Sequence, residues 1–289
     1  MYSHLIRLLL LVPCFGLTLE INIKAERTEA DLRQGQIRYL EQVVATQDGM
    51  RLEADTLLVF LEGQQIRELQ ALGQPAVLND WRDPENPIEI SALELTVWPL
   101  EDRYQAKQQA KLEHPEVTLT AEQLIFEQLE QILKAQGQTQ TILLDFEAPS
   151  WLANSEQPSD MIFNSDQLTW WVDEQRWQLI GNVSLEQQSL TLIADDFLLE
   201  VDDFGINHFL ANGQPAQSSA LLEGEELPLY LDGEQLSYHR DPDRLLSQRD
   251  ASLKQLGYQQ QADRMTFFID EQRSQGEGNV RLQILEPQP

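Results

Sequence analysis

The stretch MRLEAD at residues 50–55 returns as LTLIAD at residues 190–195, and GQPA at residues 73–76 returns as GQPA at residues 213–216. Both pairs are separated by 140 positions, and a shared offset of this kind indicates an internal duplication. In MRLEAD apolar side chains alternate with polar ones, and in LTLIAD the apolar residues 190, 192 and 194 recur with the same period of two, which is typical of a strand with one buried face. The sequence therefore predicts two copies of one β-rich module.

A finer repeat runs inside each copy, since a small residue followed by an acid recurs at intervals of 67, 73 and 68 residues. Its four occurrences are Ala54-Asp55, Ala121-Glu122, Ala194-Asp195 and Ala262-Asp263. Each module therefore consists of two similar halves, and repetition of this kind is commoner in scaffolds and binding surfaces than in enzymes.

Short alternating runs separated by turn signals predict strands almost throughout the chain after residue 17. Turns are predicted at residues 47–49, 62–63, 80–87, 181–182, 202–205, 232–233 and 276–278. The stretches 122–134 and 263–273 are also interpreted as strands, the former in spite of its helical propensity. This pattern favours an all-β sandwich, roll or β-helix over a parallel α/β sheet.

The first sixteen residues predict an export signal, with Arg7 followed by a short apolar stretch and small residues before a cleavage point after Gly16. Two alternatives stay open: a lipobox in which Cys14 is acylated, and an uncleaved anchor. The predicted organisation is a signal peptide at 1–16, a first module at 17–150 and a second module at 151–289. A linker is predicted at residues 148–159, where the apolar Trp151 and Leu152 are expected to pack against a neighbouring module.

The charge and the distribution of reactive side chains exclude several functions. A formal net charge of -28 leaves no basic patch for a nucleic acid. The four histidines at 4, 114, 208 and 239 have no zinc-ligand spacing, and no nucleophile elbow, P-loop or dinucleotide motif is present. Adjacent acids such as Asp195 and Asp196 point to opposite faces of a strand, which disfavours a paired-carboxylate site. We therefore predict no catalytic residues, no metal and no cofactor.

The apolar faces allow two interpretations. Pairs of large apolar residues at i and i+2 recur in both copies, as in Leu57 and Val59 or Leu236 and Tyr238. They form either an ordinary sandwich core or a trough between diverging sheets that is open to hydrocarbon chains.

Several of these motifs together resemble a known family. They are residues 19–26, 36–44, 49–55 and 73–76 in the first copy, and residues 164–166, 181–183, 190–195, 213–216 and 276–280 in the second. In order and spacing they resemble the OstA-like module of the LptA family of periplasmic lipopolysaccharide transport proteins. The chain differs by having two modules in tandem, and by Ala45-Thr46 where a Gly-Asn pair is expected.

The resemblance implies a twisted β-jellyroll, open along one side, whose apolar trough carries lipopolysaccharide across the periplasm in outer-membrane biogenesis. It also implies edge-strand pairing with inner-membrane and outer-membrane transport components, and possible self-association. The residues expected to bind lipid A acyl chains are Ile21, Ile23, Met50, Leu52, Leu57, Val59, Leu78, Leu95, Val97, Leu190, Leu192, Leu229, Leu231, Leu236 and Tyr238.

The leading hypothesis is thus a non-catalytic, periplasmic lipid-binding bridge protein. The alternatives are a β-scaffold for envelope assembly that pairs through its edge strands without lipid, and an exported carbohydrate-active enzyme on a β-roll.

Overall fold

A computed structural model describes residues 21–31, 33–147, 149, 151–153, 157–202, 204–255 and 257–284. The predicted signal peptide and Cys14 lie outside the described residues. The described chain is all-β, as predicted, and its consecutive long strands pair antiparallel. No helix of membrane-spanning length and hydrophobicity occurs among the described residues.

Eighteen strands follow one another along the described residues. The first nine are β1 (Asn22–Lys24), β2 (Arg27–Asp31), β3 (Gln36–Gln47), β4 (Met50–Glu62), β5 (Gln65–Asp80), β6 (Ile88–Trp98), β7 (Arg103–His114), β8 (Val117–Glu127) and β9 (Ile132–Phe146). The remaining nine are β10 (Ser159–Trp171), β11 (Arg176–Gln187), β12 (Leu190–Asp202), β13 (Gly205–Ala220), β14 (Leu229–Arg240), β15 (Asp243–Gln255), β16 (Tyr258–Phe268), β17 (Arg273–Glu277) and β18 (Arg281–Ile284). The predicted strands at 122–134 and 263–273 correspond to β8–β9 and β16–β17, each with a turn between its two strands.

The chain divides into two compact units. The first unit contains the described residues up to Thr139 together with Trp171–Asp173, and the second contains Gln140–Trp170 and the described residues from Glu174 onward. The module bounds 17–150 and 151–289 stay a prediction.

In the first unit β3 to β8 pair in sequence order, and the short strands β1 and β2 both pair with β3. In the second unit β11 to β16 pair in the same way, and the short strands β17 and β18 both pair with β16. Both ladders are open, because the first and last strands of each are joined by none of these pairings.

Every pairing between consecutive long strands, from β3 to β8 and from β11 to β16, shifts its register near the middle. Such a bulge bends the strand and increases its twist. The repeated small-acid pairs lie at these bends, as Ala54-Asp55 does between the register positions Glu53 and Thr56. The small-acid repeat found in the sequence therefore coincides with the bulges at which the strands bend.

Two predicted turns are wrong for this reason. Gly181 and Asn182 lie inside β11, between the paired residues Ile180 and Val183, and both have positive φ angles. Residues 232–233 likewise lie inside β14, where its register with β15 shifts. Glycine and asparagine tolerate positive φ in a bulge as readily as in a turn, so the sequence signal is the same for both.

The counterpart of Gly181-Asn182 in the first unit is Glu41-Gln42, also at positive φ and also 140 residues earlier. The expectation that a Gly-Asn pair belongs at Ala45-Thr46 is therefore wrong. Ala45 pairs regularly with Leu52 in β4 and with Ile23 in β1, so no bulge occurs there.

Candidate functional site

The candidate site is the apolar face on the inner side of the bent ladders. In the first unit Leu52 is in register with both Ala45 and Leu78, while Leu57 and Leu95 both pair with Ala71. Cross-strand register thus aligns apolar side chains from neighbouring strands on one face. The predicted lipid-binding residues of this unit are part of that face.

These residues differ in exposure. Leu57, Val59 and Leu95 are buried. The half-buried ones are Ile21, Ile23, Met50, Leu52, Leu78 and Val97. Half-buried apolar side chains of this kind still contact water, and covering them with hydrocarbon is favourable. The first unit therefore keeps apolar surface available for a ligand.

A narrow cleft of about 30 Å³ lies in the same unit, among residues of β5 to β9. Three predicted residues line it, namely Leu78, Leu95 and Val97. The lining residues that the sequence prediction did not include are Ile90, Thr96, Tyr104, Gln105, Ala106, Leu112, Leu124, Phe126 and Leu133. The i, i+2 pairing of Leu124 and Phe126 was a usable signal, because Phe126 is in register with Tyr104, which in turn is in register with Val97.

One ion pair lies close to this cleft. Arg82 binds the carboxylate of Asp80 through both Nε and Nη2, and Asp80 ends β5. This bonding holds the pKa of Arg82 above its ordinary value, and the nearby negative charge raises it further. Burial raises the pKa of Tyr104, so its hydroxyl stays protonated near neutral pH. The cleft is therefore lined by uncharged groups.

The second unit has a filled interior. Its predicted residues Leu190, Leu192, Leu229, Leu231, Leu236 and Tyr238 are all at most 4% exposed. Aromatic rings occupy the space between them: the rings of Phe163 and Phe209 lie 6.1 and 5.6 Å from that of Phe197. Leucines and aromatics at this exposure form a packed core rather than an accessible surface.

A short segment of the predicted linker also belongs to this core. Leu152 forms an isolated antiparallel bridge with Leu222, and both are buried. Ala153 N–H donates to the Leu221 carbonyl at 2.8 Å, and Glu223 N–H donates to the Trp151 carbonyl at 2.9 Å. The Trp151 ring lies 5.8 Å from that of Tyr238. This segment, residues 151–153, therefore packs against residues 221–223 and Tyr238 of the second unit.

The two units differ in side-chain size at positions that are 140 residues apart. At the shared offset of 140, Ile23 corresponds to Phe163, Ile37 to Trp177 and Ala30 to Trp170. In the second unit the two tryptophans stack on each other, and both are nearly fully buried. Larger side chains fill space that smaller ones leave open, so the second copy closes where the first does not.

The lining of the candidate site is mainly apolar and carries no charged side chain. Within the part of the chain that the structure describes, no group of three His, Cys, Asp or Glu side chains is placed to hold a metal ion. Apolar faces and a narrow uncharged cleft are suited to hydrocarbon.

One known protein family matches the first unit. The family described as "LptA/(LptD N-terminal domain) LPS transport protein" matches residues 22–132, which cover β1 to β8 and the start of β9. Over these residues the chain is similar to that LPS transport family. The resemblance inferred from the sequence motifs is therefore confirmed for the first copy, and the LptA/LptD-type region coincides with the unit that holds the cleft.

Among solved structures, the chain is similar to LptH, the LptA homologous periplasmic component of the conserved lipopolysaccharide transport device from Pseudomonas aeruginosa. The identity is 23%, the match covers 40% of this chain and 82% of LptH, and the TM-score is 0.38. At that TM-score the assignment rests on the family model alone. None of the curated proteins matches the chain in sequence.

Proposed function

We propose that this chain is a periplasmic, non-catalytic carrier of lipopolysaccharide that takes up lipid A acyl chains on the apolar inner face of its first unit. The observation that carries the proposal is the half-buried apolar row of Met50, Leu52 and Leu78 in a region of the LPS transport family. The proposal includes the other residues predicted to bind lipid in the first unit. The six predicted in the second unit are at most 4% exposed and are not part of it.

Hydrocarbon burial supplies the binding free energy. Each buried methylene contributes about 0.8 kcal/mol, so a chain of several methylenes binds without any specific polar contact. The cleft of about 30 Å³ holds only about two water molecules. Acyl chains therefore enter by separating the facing strands or by covering the half-buried side chains at its margin.

The open ladders also support edge-strand pairing with inner-membrane and outer-membrane transport components, and self-association. The exposed strand β18 is the main candidate, since Leu282 and Ile284 are 64% and 80% exposed. An exposed apolar edge strand is a template for another β-chain. Such pairing makes the chain one segment of a bridge for lipid between the two membranes.

A scaffold role is the second candidate, and it is favoured by the filled interior of the second unit. With its predicted residues at most 4% exposed, this unit offers edges rather than a groove. If the second unit has a scaffold role, the first unit carries lipid and the second unit supplies assembly contacts.

Photocrosslinking from matched positions tests the proposal. A benzoylphenylalanine at Leu52, which is half-buried, is expected to capture lipopolysaccharide in living cells. The same group at Leu192, its counterpart 140 residues later, is 2% exposed and is expected to capture none. Absence of lipid adducts at Leu52, with the variant exported and folded, would reject the carrier function; adducts at both positions would reject the difference between the units.

A further inference from the structure

A polar groove of about 390 Å³ lies on the outer face of the second unit, opposite the packed interior. Five strands, β12 to β16, build it. The register aligns one row across all five strands: Thr191, Ser219, Tyr230, Lys254 and Gln259. These side chains alternate with buried ones such as Leu190, Leu229 and Leu253, so they point away from the core.

A second row runs beside the first. It consists of Ile193, Gln217, Asp232, Ser252 and Gln261, again in register from strand to strand. With one lysine and one aspartate, the two rows carry no net charge, in a chain whose formal net charge is -28. The groove is therefore a neutral surface of hydroxyl and amide groups.

Its polar groups are arranged for hydrogen bonding. The hydroxyls of Thr191 and Ser219 are 2.9 Å apart, and Gln259 Nε2 donates to Ser252 Oγ at 3.3 Å. Burial raises the pKa of Asp232, and its carboxylate accepts no hydrogen bond from the described residues. A partly buried acceptor without a donor gains from a hydroxyl brought by a ligand.

An aromatic ring stands among these groups. Tyr230 is 44% exposed, and Lys254 Nζ lies 5.9 Å from the centre of its ring. The lysine lies over one face of the ring, while the exposed remainder of the ring offers an apolar surface next to polar neighbours.

The corresponding face of the first unit is different. Its first row is Arg51, Asn79, Glu89, Glu113 and Thr118. Ion pairs within single strands lie on this face, with Arg51 Nε 2.6 Å from Glu53 Oε1 and Lys111 Nζ 2.6 Å from Glu113 Oε1. The neutral groove therefore belongs to the second copy alone and does not follow from the duplicated fold.

We propose that this groove binds uncharged sugar residues in the saccharide part of the lipopolysaccharide that the chain carries. A sugar ring has an apolar face of C–H groups, which packs on an aromatic ring, and hydroxyls that exchange hydrogen bonds with amides, hydroxyls and carboxylates. The absence of net charge favours neutral sugars over phosphorylated ones. The identity of the glycolipid rests on the proposed function, whereas the saccharide chemistry rests on the groove.

The test uses core oligosaccharide released from lipopolysaccharide by mild acid, so that no acyl chain is present. Added to the isotope-labelled full chain, it is expected to shift amide NMR signals of β12 to β16. Tyr230→Ala should weaken binding by about tenfold or more, whereas Tyr230→Phe, which keeps the ring, should bind within about threefold of the unchanged chain.

Glu89→Ala is the matched control, because Glu89 occupies the position in the first unit that Tyr230 occupies in the second. It should leave saccharide binding unchanged. Signals that do not move at millimolar oligosaccharide, or equal binding by Tyr230→Ala and the unchanged chain, would overturn the proposal. Because the probe lacks acyl chains, neither result bears on lipid capture at Leu52, and loss of that capture leaves saccharide binding intact.

Discussion

The indole rings of Trp170 and Trp177 stack in the second unit with their centroids 4.3 Å apart and their planes 11° from parallel. Trp170 is 1% exposed and Trp177 is 2% exposed. Their counterparts at the offset of 140, Ala30 and Ile37, are in register with each other in β2 and β3. At this pair of positions, large rings fill the interior of the second unit, whereas the first unit has smaller side chains.

We expect Trp177→Ala to lower the free energy of unfolding by about 3–5 kcal/mol, since it removes a buried ring and leaves a cavity. Urea denaturation followed by circular dichroism measures this. Trp81→Ala is the control, because Trp81 is 48% exposed and its loss should change stability by less than about 0.5 kcal/mol. Equal effects of the two substitutions would contradict the packed interior.

Strand β9 contains a glycine in the left-handed conformation. Gly137 has a φ of +79°, and a Cβ there would lie 2.8 Å from both Cβ and Cγ of Glu122. Gly137→Ala should therefore cost at least about 2 kcal/mol of stability, from the left-handed conformation and the clash together.

Gly224 provides the matched comparison. Its φ is +77°, but nothing lies within 4 Å of a Cβ built there. Gly224→Ala should cost only the conformational part, about 1 kcal/mol. Thermal unfolding of both variants separates the two contributions, and the idea of a sterically tight bend fails if Gly137→Ala is no worse than Gly224→Ala.

The stability of the first unit should fall as the pH drops below about 6.5. Burial lowers the pKa of His114, although Asp83 opposes this shift, and His114 Nδ1 accepts the Glu116 N–H at 3.2 Å. Because the folded pKa lies below the unfolded one, the unfolded chain binds more protons, and stability is lost as the pH falls from the unfolded pKa toward the folded one.

Melting temperatures between pH 7.5 and 5 measure the effect. His114→Gln should flatten the pH profile relative to the unchanged chain. His239, whose pKa is also lowered by burial, remains in both proteins and contributes equally. A profile that His114→Gln leaves as steep as before would contradict the prediction.

The edge strand β18 gives a test of assembly. Its register partner for Leu282 is Gln260 in β16, and all four of its residues are exposed. Leu282→Pro removes a backbone donor and should reduce self-association with little change in melting temperature. Leu282→Thr keeps the N–H and the strand propensity, so it should associate normally if backbone pairing is responsible. Light scattering after size-exclusion chromatography measures both; association by the proline variant as strong as that of the unchanged chain would exclude this edge.

The sequence predicted the strands well because alternation has the same cause throughout, namely one buried and one exposed face. It placed Leu52, Leu78 and Leu192 on the inner face for that reason. It misplaced the bends at Gly181 and in β14, because a bulge and a turn use the same residues. Alternation indicates to which face of the sheet a side chain points, but not where along the strand a bulge lies.

The candidate site was less predictable, because a pattern does not tell how full an interior is. Leu52 and Leu192 are equivalent in sequence, yet one is half-buried and the other fully buried. The difference depends on side chains from distant strands, such as Phe163 and Phe197, that meet only in the folded chain. Tyr104 in the cleft was missed for the same reason, since only its register with Val97 brings it there.

The bends in the strands from β3 to β8 and from β11 to β16 allow the two faces of a ladder to vary independently. Because each of these strands carries its bend near the middle, the backbone pairing does not depend on which side chains lie on either face. The second unit combines a filled interior with a neutral polar groove outside, whereas the first unit has half-buried apolar residues inside and ion pairs outside. One backbone pattern therefore serves two different pairs of surfaces.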